Sequence, residues 1–106
     1  MSKTALIPIA NGSEEIEAVT IIDVLRRADI DVTIASINDT GDLQVSGSHG
    51  IQIVADRSID DCVKTDFDLI AIPGGLPGTE HLAASATLDM ILRKQAAEGK
   101  LYGAIC

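Results

Sequence analysis

A cysteine with small neighbours is the most reactive side chain that this 106-residue sequence offers at a predicted strand end. Cys106 follows the apolar run 101–105, which predicts a short strand that ends on the thiol. Gly103 and Ala104 suit the sharp turn of a nucleophile elbow, which presents a side chain at the edge of a sheet. A cysteine near a strand end is more often a small buried hydrophobe. Spacing alone therefore leaves both roles open for Cys106.

Two glycines at a second strand end could supply donors to an anion. Gly74 and Gly75 follow Pro73 after the apolar run 68–72. Paired glycines allow a tight turn and leave backbone N–H groups unobstructed, as an oxyanion hole requires. An ordinary glycine-rich turn explains an isolated Pro-Gly-Gly more simply. No phosphate-binding glycine motif follows the first strand.

Glu17 is the carboxyl group that the pattern brings nearest to such a site. It is predicted in the first turn of a helix, beside the end of the first strand. An ionised carboxylate would oppose a nearby thiolate, whereas a protonated carboxyl would donate a hydrogen bond to it. Acids in a first turn also stabilise the helix dipole. Sequence alone therefore favours solvated residues that help the helix start, for Glu17 and equally for Glu14 and Glu15.

The two histidines and the second cysteine are not predicted to act in catalysis or metal binding. His49 and His81 have no metal-ligand spacing with the cysteines, so both are predicted to be surface or loop residues. Cys62 is predicted to be an inert thiol on a connector. We therefore expect neither a metal ion nor a cofactor.

Strands and helices that alternate along the chain predict how these residues are positioned. Strands are expected at 5–10, 31–37, 43–46, 51–54, 68–72 and 101–105, the two in the middle as a hairpin. A helix capped by Ser13 is expected to reach Arg27, a helical connector to cover 58–64, and a second long helix to cover 82–98 with Gly99 after its end. The pattern predicts one α/β domain, residues 1–106, with a parallel sheet covered by helices on both faces. Sites in such sheets lie beyond the carboxyl ends of the strands, where segments 11–17 and 73–78 and Cys106 all fall.

Composition excludes several kinds of partner. The net charge is −8 and aromatic residues are 2%, which argues against a nucleic-acid surface and an anionic membrane. No apolar run reaches membrane-spanning length, and the first residues do not form a signal peptide. We therefore expect a cytoplasmic protein with free thiols.

Segments 12–18, 23–28, 68–75 and 104–106 stand in the order and at the spacing of the ThiJ/PfpI superfamily. The whole chain resembles its parkinsonism-associated deglycase branch and the bacterial relatives of that branch. The resemblance implies the N-terminal portion of a flavodoxin-like three-layer sandwich with a mostly parallel sheet, usually a homodimer. It makes Cys106 the reactive cysteine and Glu17 the protonated, partly buried carboxyl that hydrogen-bonds the thiolate. It places Gly74 and Gly75 in the loop whose backbone amides face the thiol.

The resemblance also implies an activity. The family includes glyoxalases and protein deglycases that act on reactive aldehydes or their adducts under oxidative stress, with addition of the thiolate to an aldehyde or hemithioacetal carbon. A non-enzymatic redox sensor or chaperone with the same cysteine is the main alternative, and a cysteine peptidase of the superfamily is another. A flavodoxin-like binding module is a third, against which the missing phosphate loop argues.

Two departures from the family pattern affect these expectations. Where this chain has His49, the branch commonly has an arginine. An anion contact made by that arginine in the family is therefore not expected of His49. The family's chain continues past the elbow with a helix, further sheet and often a histidine. We therefore expect the remainder of the same gene product as a second, non-covalently packed piece, produced by backbone cleavage at the elbow.

Overall fold

A five-stranded parallel sheet organises residues 2–106, the part of the chain that the computed structural model describes. The elements in chain order are β1 (Thr4–Ala10), α1 (Glu15–Arg27), β2 (Asp31–Ile37), β3 (Gln44–Ser46), β4 (Gln52–Val54), β5 (Arg57–Ser58), a 3₁₀ turn (Ile59–Cys62), β6 (Leu69–Ile72), α2 (Gly78–Ala84), α3 (Ala86–Ala97) and β7 (Leu101–Ala104). The sheet order is β5-β2-β1-β6-β7, and all neighbours are parallel. When the two-residue β5 is left out and the remaining four strands of this sheet are numbered in chain order, the order is 2-1-3-4, as in flavodoxin-like folds.

The central strand β1 divides the core into two layers because its side chains alternate between the faces of the sheet. Ile7 and Ile9 belong to the cluster with α1, whereas Leu6 and Ala10 belong to the cluster with α2 and α3. All four are fully buried. Helices on both faces explain why the strand is apolar on both sides, and the predicted three-layer α/β arrangement is confirmed.

The β3–β4 hairpin is docked on the carboxyl end of β1. Its two strands pair antiparallel as a separate sheet, as predicted. The Gly12 N–H donates to the Ser46 carbonyl oxygen at 2.8 Å, and the Ser46 N–H donates to Asn11 Oδ1 at 2.9 Å. The hairpin is thereby held beside the predicted site.

The predicted helix over 82–98 is wrong, because Ser85 divides that segment into α2 and α3. Ser85 has extended backbone angles, ends α2 and begins α3. Its Oγ accepts a hydrogen bond from the Leu88 N–H at 3.1 Å, so it is the N-cap of the second helix. Gly99 does follow the end of α3, with a φ of 69°. Within residues 2–106, no helix has the length and apolar character that crossing a bilayer requires.

The predicted cap of α1 is also wrong. Glu14 occupies the N-cap position, and its carboxylate accepts hydrogen bonds from the Ile16 and Glu17 N–H groups at 3.1 and 3.2 Å. The Ser13 hydroxyl points back and accepts from the Ala10 N–H at 3.0 Å. The side chain of Ser13 therefore closes the turn after β1, and a carboxylate caps the helix.

Ser85→Ala should destabilise the fold by about 1 kcal/mol, because the mutant leaves an N–H of the first turn of α3 without its cap. Ser85→Asp, which keeps an acceptor at the same position, should retain most of the stability. Urea unfolding of the natural gene product measures both. Equal losses for the two variants would show that the Ser85 cap does not stabilise α3.

Candidate functional site

Cys106 lies where β7 passes the carboxyl end of β6. The four residue pairs of β6 and β7 are followed by a further hydrogen bond, from the Ile105 N–H to the Ile72 carbonyl oxygen at 3.1 Å. Cys106 has a φ of 70°, in the left-handed region that residues other than glycine seldom occupy. The residue is exposed. The pairing of the two strands therefore brings an accessible cysteine beside the loop 73–75.

Gly74 is the point at which the predicted site residues meet. A Cβ atom at this position would lie 2.7 Å from the Cys106 Cβ and 2.7 Å from Glu17 Oε1. The Gly74 N–H donates to Glu17 Oε1 at 2.8 Å. Gly74 is therefore packed against both Cys106 and Glu17, and a side chain at position 74 would collide with both.

Gly75 packs the same loop against the beginning of α1. Its φ is 100°, and a Cβ there would lie 2.5 Å from the Glu14 nitrogen. Within residues 2–106, the Gly75 N–H makes no backbone hydrogen bond outside the helices and strands. The resemblance implied that the amides of Gly74 and Gly75 face the thiol. In the structure the Gly74 amide is bound to Glu17, which leaves Gly75 as the donor of the pair.

Glu17 reaches the site from the first turn of α1, and its carboxyl group is half-buried. One oxygen, Oε1, accepts from Gly74. The other oxygen, Oε2, has no hydrogen-bond partner among residues 2–106. No hydrogen bond joins Glu17 to the Cys106 thiol in the part of the chain that the structure describes, so that contact stays a prediction.

Glu15 is the residue that sequence reasoning missed. The expectation that it is solvated is wrong, since only 4% of it is exposed. Its Oε2 accepts from the N–H groups of His49 and Ile51 at 2.8 and 3.1 Å, and the Ser48 hydroxyl donates to its Oε1 at 3.2 Å. Gly47 allows this approach, because a Cβ there would collide with the Glu15 carboxylate. The two glycines that flank Ser48 and His49 were the available signal of an anion-binding loop.

These contacts set the charge of Glu15. Burial by itself would raise the pKa of this carboxyl group. Hydrogen bonds from the Ile51 N–H, from its own N–H, and from the His49 N–H and ring outweigh burial and lower the pKa from 4.5 to about 2. Glu15 is therefore a buried anion that holds the β3–β4 loop to α1.

The histidines and the second cysteine lie where the sequence predicted. The His49 side chain is 74% exposed in the hairpin loop, with its Nδ1 3.3 Å from Glu15 Oε1 and 3.8 Å from Glu14 Oε1. His81 is exposed on α2. Cys62 is buried in the 3₁₀ turn, and burial raises the pKa of its thiol, as expected for an inert cysteine.

Two cavities lie near the carboxyl edge of the sheet, and neither is lined by Cys106. One of about 440 Å³ lies between the end of β2 and the start of α3, with Asn38, Asp60 and His81 in its wall. The other, of about 250 Å³, is apolar and lies between α2, α3 and the end of β7.

Similarity to known proteins extends over nearly the whole chain. The sequence profile described as the DJ-1/PfpI family matches residues 3–106. Protein DJ-1 homolog A of Arabidopsis thaliana is 48% identical, over 99% of this chain and 26% of that protein. Glutathione-independent glyoxalase DJR-1.2 of Caenorhabditis elegans is 37% identical, over 98% of this chain and 54% of that protein.

The similarity extends to a solved structure. Oxidized DJ-1 of Toxoplasma gondii superposes with a TM-score of 0.96 at 46% identity, over 99% of this chain and 56% of that chain. The expected flavodoxin-like fold is confirmed by this superposition. The chain spans only about half of that structure's length, and 26% of the Arabidopsis relative.

Glu15→Gln should lower the stability of the natural gene product at neutral pH, because the amide removes the charge that the loop N–H groups bind. The folded-state pKa of Glu15 is depressed, so its contribution is complete above pH 4.5 and is lost as the pH falls towards about 2. The variant should therefore lose less stability than the wild type between these pH values. Urea unfolding midpoints across that pH range provide the measurement.

Glu80→Gln is the matched control, because Glu80 is exposed on α2 and has no ion pair among the described residues. This variant should lose as much stability as the wild type when the pH falls from 4.5 towards about 2. Amide hydrogen exchange gives a local readout, since the exchange of the His49 and Ile51 amides should accelerate in Glu15→Gln alone. If Glu15→Gln lost as much stability as the wild type over this pH range, the assignment of Glu15 as a buried anion would be contradicted.

Proposed function

The chain belongs to the DJ-1/PfpI family, and on this premise we propose that its natural gene product is a cysteine-dependent stress-response enzyme of the glyoxalase or protein deglycase type. The substrates would be reactive aldehydes, such as methylglyoxal, or their adducts. The observation that carries the proposal is the contact of Gly74 with both Cys106 and Glu17 at the carboxyl edge of the sheet. The Caenorhabditis elegans relative named as a glutathione-independent glyoxalase supports the choice of substrate class.

The proposed reaction begins when the Cys106 thiolate adds to the aldehyde carbon of methylglyoxal. The carbonyl π electrons become an alkoxide, which the Gly75 N–H is free to stabilise. The Glu17 carboxyl protonates the alkoxide, which gives a hemithioacetal and leaves Glu17 as a carboxylate. The carboxylate removes the proton from the former aldehyde carbon and delivers it to the oxygen of the neighbouring ketone, which gives an enediol. It then moves the proton of the hydroxyl group on the former aldehyde carbon to the former ketone carbon, which leaves a lactoyl thioester. Water hydrolyses the thioester to lactate and restores the thiol, so the net change is addition of one water.

The activity is proposed for the natural gene product because the matched relatives are longer than this chain. The expectation that a second, non-covalently packed piece completes the site stays a prediction. So does any base other than Glu17, since no histidine is in contact with Cys106 among residues 2–106.

The same exposed thiol supports a second candidate, a non-enzymatic redox sensor. Of the two cysteines among residues 2–106, Cys62 is buried and Cys106 is not, so Cys106 is the thiol proposed to react with peroxide. The Toxoplasma gondii relative is oxidized in its solved structure. In this alternative, oxidation of Cys106 is the signal and aldehydes are not turned over.

Cys106→Ser should reduce methylglyoxal turnover by the natural gene product to background, because the serine hydroxyl is not ionised near neutral pH and is a far weaker nucleophile. Cys62→Ala, which removes the buried thiol, should retain turnover as long as the variant remains folded. Enzymatic assay of the lactate formed measures both. Absence of turnover in the wild type, with addition of oxygen to Cys106 seen by mass spectrometry after peroxide, would favour the redox sensor instead.

A homodimer is also proposed, on the basis of an apolar surface beside the hairpin loop. Ile16 and Val19 on α1 are 75% and 49% exposed, and Ile51 in the loop is 56% exposed. The Ile51 N–H binds Glu15, which precedes Ile16, so the loop lies next to the exposed helix face. Apolar patches of this kind mark association surfaces more often than free ones.

Ile16→Glu should shift the natural gene product towards a monomer, because two copies of the charge would be buried at the interface. Met90→Glu, at a half-exposed apolar position on α3, is the matched control and should leave the assembly unchanged. Sedimentation equilibrium gives the mass of each variant. A dimer of unaltered affinity in Ile16→Glu would place the interface elsewhere.

A further inference from the structure

Three side chains that carry metal-ligating atoms meet where the hairpin loop contacts the beginning of α1. They are Glu14, Glu15 and His49, and one ligand atom from each lies within 4.8 Å of the others. We propose that this cluster is a binding site for a divalent first-row transition cation. It is separate from the thiol chemistry, and the sequence interpretation overlooked it because it paired the histidines only with cysteines.

The distances fit a tetrahedral cation. Zinc binds nitrogen and oxygen ligands at about 2.0–2.1 Å, so two ligand atoms at a tetrahedral angle lie about 3.4 Å apart. His49 Nδ1 is 3.3 Å from Glu15 Oε1 and 3.8 Å from Glu14 Oε1. A cation between these three atoms would need only a small adjustment of the exposed His49 ring.

A proton on the imidazole satisfies the cluster less completely. His49 Nδ1 lies within hydrogen-bond distance of the Ser48 hydroxyl at 3.0 Å and of Glu15 Oε1 at 3.3 Å, but the 3.8 Å to Glu14 Oε1 is too long for a hydrogen bond. A metal ion can accept lone pairs from all three groups at once. Within residues 2–106, no lysine or arginine pairs with Glu14 or Glu15.

The surroundings hold both carboxylates in place. The N–H groups of His49 and Ile51 fix Glu15 through Oε2, and its Oε1 faces the histidine and accepts from the Ser48 hydroxyl. The helix amides of Ile16 and Glu17 fix Glu14, one through each of its carboxylate oxygens. Outer hydrogen bonds of this kind orient metal ligands and raise the affinity of a site.

The ligand types identify the class of cation. An imidazole nitrogen with two carboxylates suits zinc, copper, nickel or cobalt, whereas calcium and magnesium prefer oxygen alone. Three protein ligands leave at least one position for water. We therefore expect Zn²⁺ to bind with one ion per chain.

Isothermal titration of the natural gene product with Zn²⁺ tests the site, in a Cys106→Ser background that removes the exposed thiol. His49→Gln and Glu14→Gln should each weaken binding by about ten- to a hundredfold or more, since changes even outside the ligand shell have effects of that size. His81→Gln is the matched control, because His81 is an exposed histidine on α2, and it should bind as the background does.

A second readout separates the loss of a ligand from the loss of the fold. The amide contacts that hold the loop come from the His49 backbone, and a glutamine amide can replace the hydrogen bond of the ring to Glu15 Oε1. His49→Gln should therefore keep a urea midpoint near that of the metal-free background. Titration of Co²⁺ should broaden or shift the amide resonances of Ser48 and Ile51 in the background only. Zn²⁺ binding that survives His49→Gln, or absence of binding in the background, would overturn the proposal.

Discussion

Two hydrogen bonds between the loop 73–75 and the first turn of α1 hold the candidate site together. The Glu14 N–H donates to the Gly74 carbonyl oxygen at 2.9 Å, and the Gly74 N–H donates to Glu17 Oε1 at 2.8 Å. The loop ends β6 and the turn follows β1, and these strands are neighbours in the sheet. The parallel pairing of buried strands therefore determines that the two segments meet. Because β7 pairs with β6, it adds Cys106 to the same point.

Three glutamates in one helical turn hold three different segments of backbone. Glu14 caps its own helix, Glu15 binds the hairpin loop, and Glu17 binds the glycine loop. Successive helical residues point about 100° apart, so Glu15 and Glu17, which are two positions apart, reach different surroundings. Acids at the start of a helix also have a favourable interaction with its dipole. The dipole explains why acids are tolerated there, and the individual contacts explain why each is needed.

The parts of the fold that follow from apolar pattern were predictable from the sequence. The buried strands, α1, the hairpin and the position of Cys106 at a strand end all rest on the spacing of aliphatic residues. The boundary at Ser85 was not predictable from this pattern, because leucine and isoleucine continue at helical spacing on both sides of it. The two residues of β5 are too few to show any period.

The role of Glu15 was unpredictable for a different reason. Its partners are backbone N–H groups about 35 positions away in the chain, and backbone groups have no sequence signature of their own. Only the glycines at 47 and 50 hinted at a loop that could approach an anion. Glu17 also binds a distant backbone N–H, that of Gly74, so the two glutamates differ in the loop that each one holds, which their similar positions in the sequence do not reveal.

The distribution of donors limits where a negative charge could develop beside Cys106. A helix N-terminus usually offers free N–H groups to an anion. Here the amides of Ile16 and Glu17 donate to Glu14, and the amide of Gly74 donates to Glu17. The carboxylates of α1 have already used the donors of their own helix, which leaves the Gly75 N–H among these groups. Among these amides, the Gly75 N–H is therefore the one that no carboxylate accepts from, and it lies in a loop whose shape only glycine at 74 and 75 permits.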